Sequence, residues 1–130
     1  MVNKTILHPQ EIEVYYILPA LRRHLASYMK QNGLKQKDIA VLLGVHTAAI
    51  SQYSSNKRGN NIQFKDDVLQ EISKSAAKIK DRLSYFAETQ QLLRYIRFTN
   101  TLCEIHKQFT NIPPGCEPQK VGCHATLCHE

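Results

Sequence analysis

The sequence predicts an all-α fold, and three observations lead there. Apolar residues recur at three- and four-residue steps through most of the chain, which is the period of a helix face. Proline and glycine fall where helices open and close: Pro9 and Pro19 stand ahead of periodic stretches, Gly33 and Gly44 behind them. Period-two alternation, the signal of a half-buried strand, is weak throughout.

Residues 1–8 carry no periodicity and are read as loosely ordered. Pro9 opens a first helix with Glu11 and Glu13 early, where the helix dipole favours acids, and this helix is expected to end near Leu18. Pro19 opens the next, PALRRHLASYMKQNG. Leu21, Leu25 and Met29 form its apolar stripe, Tyr28 lies beside them, and Gly33 is the expected C-cap. Arg22, Arg23 and Lys30 lie elsewhere on that helix and read as a solvated face.

The rest of the chain is organised around residues 36–53, QKDIAVLLGVHTAAISQY. Two short helices are expected here, joined by a tight turn at Gly44 and Val45. Ile39, Ala40 and Leu43 share a face of the first helix, and Ile50 and Tyr53 point back from the second. Two helices crossing steeply leave room only for a small side chain at the contact, which suits Ala40. A turn after a helix often needs positive φ, which costs glycine nothing and suits Gly44. This spacing resembles the helix-turn-helix of the Cro and phage-repressor (XRE-like) family over about the first half of the chain. It departs from that pattern in two places. Lys35 precedes the first helix instead of a Ser or Thr cap, and His46 stands where a capping Ser is usual, leaving Thr47 to cap.

The resemblance implies a repressor-like domain of five to six helices whose second motif helix enters the DNA major groove. Thr47, Ala48, Ser51 and Gln52 are then its exposed residues, with His46 just before them. Gln52 suits the edge of an adenine. Ser51 and Thr47 suit a base or a phosphate, and Ala48 or the Thr47 methyl suits a thymine methyl. By the same resemblance Gln36 anchors a phosphate, with Lys35, Lys37, Lys57 and Arg58 as further phosphate contacts. Ala49 is expected on the core side. Charge distribution agrees with this reading. Residues 1–60 hold eight Lys and Arg against three Asp and Glu, whereas residues 61–130 hold nine against eight, so the excess gathers on the motif half.

After the polar loop SSNKRGNNIQ, the residues Phe64, Val68, Leu69, Ile72, Ala76, Ile79, Leu83 and Phe86 recur at helical steps. They predict one long helix, or two broken near residues 73–75, serving in dimerisation or in the monomer's own core. A last helix is expected from about 88 to 109, with Leu92, Tyr95, Ile96, Thr99, Leu102, Cys103 and His106 on or beside one face and Arg94 and Arg97 off it. Asn111, Pro113, Pro114 and Gly115 end it. The expected organisation is a DNA-binding part at 1–62, a helical dimerisation region at 63–109, and an irregular cysteine-rich tail at 110–130 that works with Cys103.

All four cysteines lie in the last quarter: Cys103, Cys116, Cys123 and Cys128, spaced C-x12-C-x6-C-x4-C, with His106, His124 and His129 among them. The tail has too few apolar residues to fold on packing alone, and a bound metal would order it. Structural zinc usually takes close C-x2-C pairs, which are missing. Wide spacing suits an iron–sulfur cluster, [4Fe–4S] or [2Fe–2S], whose irons are reached from several directions. Zinc and redox-active free thiols stay open as alternatives. The segments FTNTLCEIH, GCEP and GCHATLC resemble the cysteine-rich tails of some XRE-like regulators.

The implied function is a homodimeric, sequence-specific transcription regulator that binds double-stranded, palindromic DNA. It would sense redox state, oxygen, nitric oxide or iron status through the cluster. A DNA-binding protein with structural zinc, or an antitoxin-like interaction module, are the alternatives. Nothing pairs a base with a nucleophile and no Gly-rich phosphate loop occurs, so an enzyme is not expected. Neither a signal peptide nor an apolar run of ~20 residues is visible, and a cytoplasmic protein off the membrane is expected.

Overall fold

In the computed structural model, which describes residues 6–55 and 57–123, the backbone runs helically from Pro9 to Gln31 without a break. The run comprises α1 (Pro9–Ile12), a π-helical stretch (Glu13–Ile17) and α2 (Leu18–Gln31). The sequence suggests a boundary at Leu18 because Pro19 has no N–H and its ring crowds the carbonyl four residues back. The chain meets that obstacle by widening the preceding turn. The Leu18 N–H bonds Glu13, five residues back, and every residue at the junction stays right-handed helical. The stripe Leu21, Leu25, Met29 is buried as its spacing implies, joined by Ile12, Ile17 and Ala20.

Helices α3 (Gln36–Leu43) and α4 (Thr47–Ser54) follow, and both pack on α2. Next come α5 (Asp66–Lys78), α6 (Arg82–Phe98), α7 (Thr101–Phe109) and a short α8 (Pro118–Val121). No strand occurs among the described residues. Helix α5 lies against both α2 and α6, while α7 packs on α6 and α1. One core joins both halves of the chain: Ile39, Ile50 and Tyr53 belong to the same buried cluster as Val68, Ile72, Leu92 and Ile96.

Two helix boundaries differ from the periodicity reading. The break falls at 79–81, not at 73–75. Ser75 is buried inside α5, and the chain turns extended at Ile79 before Asp81 caps α6. Asp81 accepts from the Ser84 amide at 2.7 Å, and Ser84 Oγ accepts from the Asp81 amide at 3.0 Å. Those bonds from Ser84 hold the Asp81 carboxyl below its ordinary pKa. Because α6 starts afresh, the stripe is rephased. Tyr85, Thr89, Leu92 and Ile96 are buried, whereas Leu83 and Phe86 are 78% and 61% exposed. The second difference is a kink between α6 and α7. Asn100 takes a left-handed conformation (φ +64°), which asparagine tolerates, and starts a new helix at Thr101.

The ends of the described chain meet. The Leu7 amide donates to Thr110 Oγ1 at 3.1 Å, and His106 Nε2 lies 2.6 Å from the Leu7 carbonyl. A carbonyl only accepts, so His106 carries its proton on Nε2. Tyr16 stacks on Phe109 with ring centroids 4.1 Å apart. Residues 7 and 8 are therefore held in place, contrary to the loose order expected of them.

His24, on α2, has its pKa lowered to about 4, first by burial and then by the neighbouring Arg23. Arg23 Nη1 donates to its Nε2 at 3.2 Å, which a neutral ring accepts and an imidazolium cannot. Between about pH 4 and the ordinary 6.5 the unfolded chain binds a proton that the folded chain does not. Stability therefore falls as pH drops through that window and levels below it. His24→Gln is expected to flatten this dependence when urea midpoints at acid and neutral pH are compared. An unchanged slope would exclude His24 as its source.

Candidate nucleic-acid interface and thiol site

The unit α3–turn–α4 is shaped by its smallest residues. Gly44 ends α3 in a left-handed conformation (φ +68°), and the Val45 amide reaches back to the Ala40 carbonyl at 3.0 Å, closing the helix end. Arg82, at the start of α6, donates through Nε to the Val41 carbonyl at 3.0 Å, capping the same end from outside. Ile39, Ala40, Leu43, Ala49, Ile50 and Tyr53 close the small core between α3, α4 and α2. His46 is the residue before α4 and Thr47 its first helical residue. Neither makes a side-chain cap, so the capping expected of Thr47 is not found.

Opposite that core, His46, Thr47, Ala48 and Ser51 are exposed and Gln52 is half-buried. Gln36, the first residue of α3, bridges the two helices. Its Nε2 donates to Ser51 Oγ at 2.6 Å and to the Thr47 carbonyl at 3.2 Å. This bridge fixes α4 relative to α3 and orients the Ser51 hydroxyl. Lys35 and Lys37 are exposed at the start of α3. Lys57 and Arg58 are exposed in the loop after α4, anchored by a bond from the Lys57 amide to the Gln52 carbonyl at 2.8 Å.

That loop docks on α2 at Gly59. Gly59 has φ +74°, and a Cβ there would stand 2.5 Å from the Pro19 carbonyl oxygen and 3.0 Å from Arg23 Cβ. No side chain fits against that backbone. Gly59→Ala is expected to cost about 2–3 kcal/mol of stability by urea denaturation, because the loop must lift off α2. A loss below ~0.5 kcal/mol would mean that the loop does not need this contact. Arg23 and Lys30, read from sequence as a solvated face, line a polar cleft with Ser27 of α2 and Ser54 of α4.

The second site lies at the chain ends. A cavity of about 370 Å³ is lined by Leu7, His8, Arg97, Leu102, His106, Cys116 and Cys123, among others. Cys103, Cys116 and Cys123 are half-buried free thiols. Burial pushes the Cys123 thiol up, the nearby Cys116 and Cys103 push it further, and Arg97 opposes them. Cys116 and Cys123 line the one cavity, while Cys103 stands on α7. Among the described residues no three His, Cys, Asp or Glu side chains already stand together as a cation site. Cys128, His124 and His129 lie outside the described residues. In donor type the three thiols, from one helix and the loop after it, fit an iron–sulfur group or zinc. His106 commits Nε2 to Leu7, which leaves Nδ1 as its only ring atom for a metal.

Arg97 connects this cavity to the first helical run. It donates through Nε and Nη2 to the Glu13 carboxylate at 2.8 and 2.7 Å, and the Glu13 side chain is only 8% exposed. Glu13 holds Arg97 in its charged form. Sequence periodicity put Arg97 off the apolar face. It carried no sign of a partner 84 residues away, and a lone Glu inside an apolar stretch was the only available hint.

Compared with protein-family models, curated proteins and solved structures, the chain matches none. No described helix is long and apolar enough to cross a membrane.

Proposed function

We propose that the protein is a homodimeric, sequence-specific DNA-binding regulator of the helix-turn-helix type, with α4 as the recognition helix and the cysteines as a regulatory metal site. One observation carries the DNA reading. The α3–α4 unit buries one face completely and leaves Thr47, Ala48 and Ser51 bare on the other, with Gln52 beside them. Lys35 and Lys37 are exposed at the start of α3, and Lys57 and Arg58 in the loop after α4. Short hydroxyl, amide and methyl groups suit base edges, and these cations suit backbone phosphates. A dimer reads a palindrome only if its two recognition helices sit ~34 Å apart, one DNA turn. Leu83 and Phe86, bare on α6, are the surface we assign to the dimer contact.

The cavity shared by Cys116 and Cys123 supports the regulatory half, with Cys103 and Cys128 as the other two ligands. An iron–sulfur cluster would supply sensitivity to oxidants and nitric oxide. Zinc would supply only a staple. Absorption of protein purified without oxygen, with iron and sulfide assays, separates them. Brown protein with a broad visible thiolate–iron band supports the sensor. Colourless zinc protein leaves a stapled DNA-binding protein, and protein holding neither metal removes the site.

A further inference from the structure

We infer that the cleft between α2, the α3–α4 turn and α6 is a binding site for a small organic carboxylate with an apolar body. The site goes beyond the DNA reading and stands independently of it. A cavity of about 410 Å³ lies there, within the roughly 300–1,000 Å³ typical of small-molecule sites. Leu18, Val45 and Phe86 give it apolar walls, and Arg22 and Arg82 border it from α2 and α6. Phe86, assigned above to the dimer contact, is shared, so an occupant sits against that surface. Among the described residues no Asp or Glu borders the cavity. Asp81, the acid next to Arg82 in the chain, spends its carboxylate on the Ser84 amide and hydroxyl.

The two cations are placed for an anion. Arg82 donates through Nε to the Val41 carbonyl at 3.0 Å and lies over the Gly44 turn, where a Cβ would stand 3.8 Å from that Nε. The bond fixes the side chain and leaves both Nη groups without a bond among the described residues. Half-buried Arg22 makes no hydrogen bond or ion pair among the described residues. Two like charges at one cavity repel, and burying a guanidinium without a partner is costly. One carboxylate answers both arginines through their N–H groups, while its apolar part displaces water from Leu18, Val45 and Phe86. Phosphate would meet the same charges and leave those walls wet. An uncharged apolar molecule would leave the arginines unpaired. Because Gly44 and Val45 line the cavity, an occupant touches the turn that joins α3 to α4.

The test titrates the full-length protein with octanoate, benzoate, octanamide and inorganic phosphate, read by calorimetry and by backbone amide shifts. At least one of the two carboxylates is expected to saturate, with the largest shifts at Gly44, Val45 and residues 82–90. Octanoate reports a chain-shaped ligand and benzoate a ring. Octanamide and phosphate are expected to bind at least about tenfold more weakly than that carboxylate. Arg22→Gln removes a charge that holds no bond in the fold. It is expected to keep the wild-type amide spectrum and to weaken the carboxylate about tenfold. Arg82→Gln is expected to weaken it as much and also to lose the bond to Val41. No DNA enters the titration, so a protein that selects no DNA sequence yet binds the carboxylate here overturns the DNA reading alone. The inference is overturned if neither carboxylate saturates, if octanamide or phosphate binds as tightly, if the largest shifts lie away from the cavity, or if both variants bind like wild type.

Discussion

Replacing Arg97 with alanine is expected to cost the fold about 2–4 kcal/mol, seen as a lower urea midpoint and a melting temperature down by roughly 10 °C. The cause is the carboxylate left behind. Glu13 is 8% exposed and accepts two hydrogen bonds from Arg97, so the truncation strands a charge where water scarcely reaches. The Arg97 side chain is itself 37% exposed, which keeps the loss toward the lower half of the range for buried pairs. Pairing R97A with Glu13→Leu is expected to restore most of the stability, because no buried charge then lacks a partner. A single variant within ~0.5 kcal/mol of wild type would mean the ion pair adds nothing to the fold.

The second large effect concerns DNA. Gln52→Ala is expected to cost about 1–3 kcal/mol at one base position of the preferred duplex and little elsewhere. Lys57→Ala with Arg58→Ala should instead weaken binding to every sequence and lower the log–log salt slope by about two. The distinction follows from their locations. Gln52 lies on the face of α4 beside Ser51, whereas Lys57 and Arg58 sit in the loop that Gly59 docks on α2. Fluorescence anisotropy across salt concentrations separates the two patterns. Equal loss on all sequences for Gln52→Ala would move that residue from base reading to backbone contact.

Legibility in the sequence followed the range of the interactions. The α3–α4 core was readable because Ile39, Ala40, Leu43, Ile50 and Tyr53 obey local spacing, and Gly44 was readable because its left-handed turn needs only its own neighbours. The helix at 9–31 was misdivided at Pro19. Local rules put a boundary there, and the chain passed through it by widening one turn. Leu83 and Phe86 left the buried stripe because periodicity carries no phase across the break at 79–81, and the kink at Asn100 went unseen because only its backbone conformation reveals it. The bonds of Arg97 to Glu13, His106 to Leu7 and Arg82 to Val41 span 84, 99 and 41 residues. No local pattern encodes such pairs. Crowding of the cysteines in the last quarter was visible in the sequence, but Arg97 in the cavity lined by Cys116 and Cys123 was not.

The most direct test of the account is selection from a random pool of duplex DNA by the purified, metal-loaded protein. The account predicts enrichment of an inverted repeat whose half-site centres lie one helical turn apart, ~10 base pairs, with enrichment lost in Gln52→Ala at a single position of each half-site. Recovery of unenriched pool, bound equally and released equally by salt, would contradict a sequence-reading role for α4.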